Sequence, residues 1–221
     1  MHYITSDIHN DNQSFEQLLK QIHFSEADDQ LYILGDLFDR AEHHPDPLGV
    51  YFNVLKLGES CTVLRGNHDV WLASYILKYF DMPESKRSKV TPYWYNSFEL
   101  LAKRLTPVDM RELAYFILSC PLQVELSLGK EKYLLAHAAT TLPEVQREDE
   151  YYLMGDWQSD QQLEKGLESY ISICGHQNLG GGRIWKNKNS NATSYVVDCG
   201  CGFANGRLGC LCLETKQEFY V

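Results

Sequence analysis

The sequence predicts an α/β fold in which a parallel-stranded half precedes a β-rich half, the two sheets packed together with helices outside. Three observations carry this. Short apolar runs alternate with helical spacing through the first half. From Leu122 onward the pattern turns to closely spaced strands. The first three strand-like runs each end in a polar cluster, and the carboxyl edge of an open α/β sheet is where ligands bind.

Residues 2–6, with Tyr3 and Ile4, read as the first strand. Phe15, Leu18, Leu19 and Ile22 recur at helical spacing and predict a helix over 13–23. The run 31–34 is a second strand, and Val50, Val54, Leu55 and Leu57 predict a helix over 48–57. A third strand covers 61–64, and Leu72, Tyr75, Ile76 and Tyr79 predict a helix over 70–80. This βαβαβα order implies parallel strands joined by right-handed crossovers.

Residues 81–106 are polar and interrupted by Pro83 and Pro92, then helical from Phe98 to Leu105. A helix over 107–118 follows, with Pro107 in its first turn and Thr106 as its N-cap. Strands are predicted at 122–128 and 132–136 around a turn at Gly129-Lys130. Further strands are predicted at 170–174, 194–198, 207–213 and 217–221, with loop and helix over 138–169. No repeat, low-complexity tract or linker divides the chain, so residues 1–221 are expected to form one domain.

Composition excludes some classes. The chain is 44% hydrophobic, enough for a sizeable core, and its formal charge is −10. A generally acidic surface argues against binding nucleic acid duplexes or anionic membranes. Any anionic substrate must then be captured by a local positive site. No apolar run approaches a membrane span, and the first residues read as a strand rather than a signal peptide. Seven cysteines in no regular framework are expected as reduced thiols, so the expected location is cytoplasmic. The Asn-x-Ser/Thr matches at Asn12 and Asn191 mean little without secretion.

The polar clusters are the informative part. Ser6-Asp7-Ile8-His9 closes the first strand, Gly35-Asp36-Leu37-Phe38-Asp39-Arg40 the second, and Arg65-Gly66-Asn67-His68-Asp69 the third. The strands 132–136 and 170–174 deliver His137 and Gly175-His176 in the same way. Singly, each has an ordinary explanation: Asp36 and Asp39 as helix caps, His137 as a hydrogen-bonded strand-end histidine, Gly175-His176 as a turn. Together, in order and all at strand ends, they form one constellation. In extended chain Asp7 and His9 point to one side and reach one ion. Gly35 lets the backbone come close at Asp36, whose carboxylate can bridge two ions. Asn67 adds a neutral oxygen, and His137 and His176 add imidazole nitrogens. Mixed oxygen and nitrogen donors suit manganese, iron or zinc above calcium or magnesium. Two divalent cations set against Asp7, Asp36 and a bridging hydroxide leave positive charge for a phosphoryl dianion. Arg40 and Arg65 supply bidentate donors beside it.

The ordered set Asp7-x-His9, Gly35-Asp36-x-x-Asp39-Arg40, Gly66-Asn67-His68-Asp69, His137 and Gly175-His176 resembles the calcineurin-like metallophosphoesterases. Its Gly-Asp-x-x-Asp-Arg form points to the phosphoprotein phosphatase branch. That branch includes bacterial and phage serine/threonine phosphatases and symmetrical diadenosine tetraphosphate hydrolases. The ending from Val196 is also similar to the family's terminal strands, so the resemblance covers nearly the whole chain. It implies a four-layered α/β/β/α sandwich of two mixed sheets with a dinuclear metal site at the strand carboxyl ends. Asp7 and His9 would hold the first metal, Asp36 would bridge, and Asn67, His137 and His176 would hold the second. The cofactors implied are two divalent metal ions, manganese first, with iron or zinc as alternatives. His68 would be the general acid, oriented by Asp39, with Arg40 and Arg65 on the phosphate oxygens. A metal-bridging hydroxide would attack phosphorus directly, with no phosphoenzyme.

The substrate expected first is a protein phosphorylated on serine or threonine. The alternative is a dinucleoside polyphosphate or another small phosphate ester. A binding scaffold without catalysis ranks last, because all six metal positions, His68 and Asp39 are present. The sequence specifies no oligomeric state. If strand geometry persists, the adjacent side chains of Asn67 and His68 diverge, one to the metal and one to the leaving group. The chain departs from the family at three places. Asn10 stands for a Gly, a residue type that tolerates left-handed backbone. Asp69 stands for a Glu. Ser159, two residues after Trp157, stands for an Arg, with Arg147 in the same interval. Elsewhere, Cys199, Cys201, Cys210 and Cys212 form two Cys-x-Cys pairs that read as buried thiols rather than a zinc site. Gly180-Gly181-Gly182 reads as a loop near His176. Tyr93, Trp94, Tyr95 and Trp157 read either as groove-lining or as core residues.

Overall fold

The computed structural model describes residues 1–155, 167, 169–188 and 193–221. Among these, ten strands form two five-stranded mixed sheets. In the first, β1 (His2–Thr5), β2 (Gln30–Ile33) and β3 (Cys61–Val63) run parallel, and β9 (Gly209–Cys212) and β10 (Glu218–Tyr220) add antiparallel strands beyond β1. In the second, β4 (Gln123–Leu128) pairs antiparallel with β5 (Glu131–Ala136). Next come β6 (Ile171–Cys174) and β8 (Thr193–Val196), both parallel to β5, with β7 (Trp185–Lys188) antiparallel at the edge.

Period-two alternation builds the layers. Tyr3, Leu31, Ile33 and Val63 face the helices, where they pack with residues such as Phe15, Val54, Leu72 and Leu113. Their neighbours Ile4, Tyr32 and Leu64 face the other way and meet Tyr133, Leu135, Ile173 and Tyr195 of the second sheet. Each fully buried Leu or Ile in these layers contributes about 1.5–3 kcal/mol. The helices against the first sheet are α1 (Asn12–Gln21), α2 (Pro47–Leu57), α3 (Asn67–Asp81) and α6 (Pro107–Ser119), with short α4 (Glu84–Arg87) and α5 (Ser97–Ala102) between them. On the far face of the second sheet, Ala136 and Cys174 pack against α7 (Asp149–Met154) through Tyr151 and Tyr152. The expected α/β/β/α layering is therefore present.

Local chemistry starts these helices, and the Thr106 cap is the one the sequence predicts. Asp11 and Asp46 accept N–H bonds at the starts of α1 and α2, and Thr106 and Asp109 form a capping box on α6. One start differs. The helix predicted from residue 70 begins at Asn67, with Gly66 as its N-cap. Its first turn is polar, so apolar periodicity does not register it. The sequence pattern does not predict β7, because Trp-Lys-Asn-Lys alternates without an apolar run.

Among the described residues no helix is long and apolar enough to cross a membrane. All seven cysteines are free thiols. Cys201, Cys210 and Cys212 pack toward the helices, whereas Cys199 packs between the sheets. They therefore act as core residues and do not form one ligand set. Trp157, Ser159 and Asn191 lie outside the described residues.

Candidate active site

The ends of β1, β2, β3, β5 and β6 converge, but not through extended chain. Asp7, His9 and Asn10 have φ of 55°, 50° and 65°; Asp36, Asp39, Arg40 and His176 have 53°, 71°, 64° and 67°. Left-handed backbone costs an L-residue about 1–2 kcal/mol, so seven such residues need outside support. Backbone bonds between the two loops supply part of it: Asp7 N–H to Gly35 O (3.0 Å), His9 N–H to Asp36 O (3.0 Å) and Asn10 N–H to Leu37 O (2.9 Å). This corrects the extended-chain reading of Asp7 and His9. Their side chains meet because both residues turn left-handed, while Ile8 between them enters the core. Asn10 adopts the left-handed turn expected of it. Its amide donates to Ser97 Oγ (2.9 Å) and Asn96 Oδ1 (3.1 Å) at the start of α5. Glycine is needed where loops touch: a Cβ on Gly66 would lie 2.2 Å from Asp36 N, and one on Gly175 would lie 2.3 Å from Asp7 Oδ2.

Two groups of ligand atoms result, Asp7-His9-Asp36 and Asp36-His137-His176, each with its atoms within 4.8 Å of one another. Asp36 belongs to both. His9 Nε2 lies 3.7 Å from Asp7 Oδ1 and 3.7 Å from Asp36 Oδ2, and His137 Nε2 lies 3.5 Å from Asp36 Oδ2. Asp7 Oδ1, Asp36 Oδ2 and His176 Nδ1 are buried without a hydrogen-bond partner among the described residues. Buried acceptors left unpartnered at one spot are costly unless a cation satisfies them. The imidazoles are oriented for that task. His9 and His137 donate from Nδ1 to the carbonyls of Phe38 (2.9 Å) and Leu34 (2.7 Å), which turns Nε2 inward. Asn67 Oδ1 sits 3.0 Å from His137 Nε2, and two ligands at right angles about 2.1 Å from one ion lie about 3 Å apart. The residues present thus fit two divalent cations.

The electrostatics agree with a shared anionic centre. Burial pushes His9 down to about 3 and His176 down to about 4, so both are neutral lone-pair donors at pH 7. Burial acts against His137 too, but the Asp36 carboxylate outweighs it and holds that imidazole up at about 10. Burial alone would raise Asp36, yet His137, His9 and His68 pull it well below the carboxylate range. Asp7 is pushed well up by burial and by Asp198.

Beside the metal groups, His68 occupies the first turn of α3. Its Nδ1 donates to Asp39 Oδ2 (3.1 Å), and its Nε2 is buried with no partner among the described residues. The expected divergence of Asn67 and His68 comes from helical rotation, not from a continuing strand. Arg40 reaches the ligand groups, and Arg65 lies two residues beyond β3. Arg40 Nη1 donates to His9 Nε2 (3.1 Å) and its guanidinium lies over Phe203 (5.5 Å). The Nε2 lone pair of His9 must therefore be freed of Arg40 before it can hold an ion. Arg65 Nη1 is 3.6 Å from the exposed Asp149. Arg147 is exposed and stacks over Tyr151 (4.9 Å).

Sequence reasoning missed four supports. Tyr93 OH donates to Asp39 Oδ2 (2.7 Å), and Ser97 Oγ accepts from Asp39 N–H (2.8 Å). Asp198 lies two residues beyond β8, so the strand-end rule applied once more finds it. Asp69, noted only as a departure, accepts N–H bonds from Asp36 (2.8 Å), Leu37 (2.8 Å) and Gly66 (3.0 Å). Burial and the Asp36 charge push its carboxyl up to about 7 against those donors. Asp69→Asn turns an acceptor into a donor facing these N–H groups. It is expected to lower stability by about 2–4 kcal/mol, read as a fall in Tm of the chelator-treated protein, where metal loss cannot contribute.

The calcineurin-like phosphoesterase family profile matches residues 3–201. The chain belongs to that family. Curated relatives of this calcineurin-like phosphoesterase include a symmetrical bis(5'-nucleosyl)-tetraphosphatase of Vibrio parahaemolyticus, 34% identical over 62% of this chain and 43% of the relative. A relative of the same description from Buchnera aphidicola subsp. Baizongia pistaciae is 29% identical over 97% of this chain and 65% of the relative. The chain thus spans less than two thirds of the length of these curated relatives. A solved protein provisionally assigned as a diadenosine tetraphosphatase superposes with a TM-score of 0.72 at 19% identity, covering 100% of this chain and 92% of that one, a likeness of fold.

Proposed function

We propose that this chain is a metal-dependent phosphoesterase that hydrolyses dinucleoside polyphosphates. One observation carries the chemistry: two ligand groups share Asp36, with an unpartnered His68 Nε2 beside them. The tetraphosphatase descriptions of the curated relatives favour the dinucleotide over the phosphoprotein as substrate. Asp7, His9 and Asp36 would hold one divalent ion, and Asp36, Asn67, His137 and His176 the other. The mixed oxygen and nitrogen donors suit manganese, iron or zinc. Bound there, such ions supply Lewis acidity and acidify water to near neutral pH.

The side chains do the rest. Arg40 and Arg65 take the non-bridging phosphate oxygens once released from His9 and Asp149. Asp39 holds the His68 ring through Nδ1, and Nε2 gives its proton to the departing oxygen. Water is added across one P–O bond: hydroxide joins phosphorus, and the leaving phosphate departs protonated. Free thiols throughout support a reducing, cytoplasmic setting.

The test is a substrate panel with added manganese: diadenosine tetraphosphate, a phosphoserine peptide and p-nitrophenyl phosphate. The dinucleotide is expected to have the highest kcat/KM. Preference for the peptide would return the serine/threonine phosphatase reading. Hydrolysis of none would sink the enzyme reading.

A further inference from the structure

We propose that the aromatic groove beside His68 binds the nucleobase of the departing nucleotide. This rests on the reading of His68 as the donor to the leaving oxygen, since whatever departs must lie on that side. The groove has a volume of about 540 Å³, lined by Trp71 of α3 and by Tyr93, Trp94 and Tyr95 from the loop before α5. That volume falls in the range of about 300–1,000 Å³ typical of small-molecule sites. It begins beside His68: the rings of Trp71 and Tyr95 lie 4.9 Å and 4.7 Å from the His68 ring.

The walls match a planar ring joined to phosphates. Trp94 is 88% exposed and Trp71 39% exposed, so indole surface is spent on solvent with no core role at Trp94. Lys78 and Lys89 also line the groove, two cations on a chain of net charge −10. Aromatic faces with ammonium groups among them suit a base and its phosphates; an apolar peptide would leave the lysines uncompensated. Stacking on such faces is worth about 1–3 kcal/mol per base. The loop is also tied in place, because Tyr93 OH donates to Asp39 (2.7 Å) and Tyr75 OH donates to Thr91 O (3.2 Å).

The experiment titrates AMP, then ribose 5-phosphate, into the metal-loaded protein and into Trp94→Ala, following tryptophan fluorescence. Trp94 is exposed, so its loss leaves the fold intact. AMP is expected to quench the native protein and to bind the variant about tenfold more weakly, a change of about 1.4 kcal/mol. Ribose 5-phosphate is expected to bind both alike and more weakly than AMP. Equal AMP affinity in the two proteins, or equal affinity for AMP and ribose 5-phosphate, overturns the proposal. Diadenosine tetraphosphate separates this inference from the functional reading. If AMP binds as expected but the dinucleotide is not cleaved, the function falls and the groove stands. If the dinucleotide is cleaved with the same KM by both proteins, the groove falls and the function stands.

Discussion

Asp36→Asn is expected to remove metal and activity together. Asp36 is buried, and its Oδ1 accepts the backbone N–H of His68 (2.9 Å), while Oδ2 has no hydrogen-bond partner among the described residues and faces His9 and His137, one from each ligand group. Asparagine keeps the Oδ1 bond and tolerates the left-handed backbone at φ 53°, so the loop is expected to fold. What changes is the charge: an NH2 group replaces the oxygen facing His9 and His137. Metal catalysis supplies several kcal/mol of transition-state stabilisation, so turnover is expected to fall by roughly a thousandfold or more. Elemental analysis after dialysis is expected to show fewer than two ions per chain. Two retained ions with full turnover would refute the bridging role.

His68→Asn is expected to separate the two functions that Asp36→Asn removes at once. His68 contributes no atom to either ligand group, so metal content is expected to stay at two per chain. Turnover is expected to fall by about 10²–10⁴-fold, the usual worth of a positioned proton donor. The loss is expected to depend on the leaving group. p-Nitrophenolate departs with little help, so its hydrolysis suffers least, and an alkyl phosphate suffers most. A loss equal for both leaving groups would show that His68 orients the site and donates no proton.

The residues of the site were legible in the chain because chemistry limits which side chains hold divalent ions and hand over protons. Asp7, His9, Asp36, Asn67, His137 and His176 could be picked by type and by their position after apolar runs; the structure brings Asp7, His9, Asp36, His137 and His176 into two ligand groups and sets Asn67 Oδ1 3.0 Å from His137 Nε2. How Asp7 and His9 converge was not legible. Both turn left-handed against their own preference, and the bonds that hold them there come from Gly35 and Asp36, in another loop. The supports were hidden for the same reason. Tyr93 is 54 residues from Asp39, and no local pattern records that pairing. Asp69 looked like a minor change, yet it ties three backbone groups from two loops.

Periodicity, turn chemistry and ligand type are local properties, so the chain alone specifies the strand and helix order apart from β7, the polar rim and the class of ion its donors suit. Long-range packing settles the rest. The sharing of Asp36 between two groups, the partnerless Nε2 of His68 and the tryptophan groove beside it each depend on segments brought together by burial of the apolar layers. Burial removes the water that would otherwise satisfy these polar groups, and it thereby gives their exact neighbours chemical meaning.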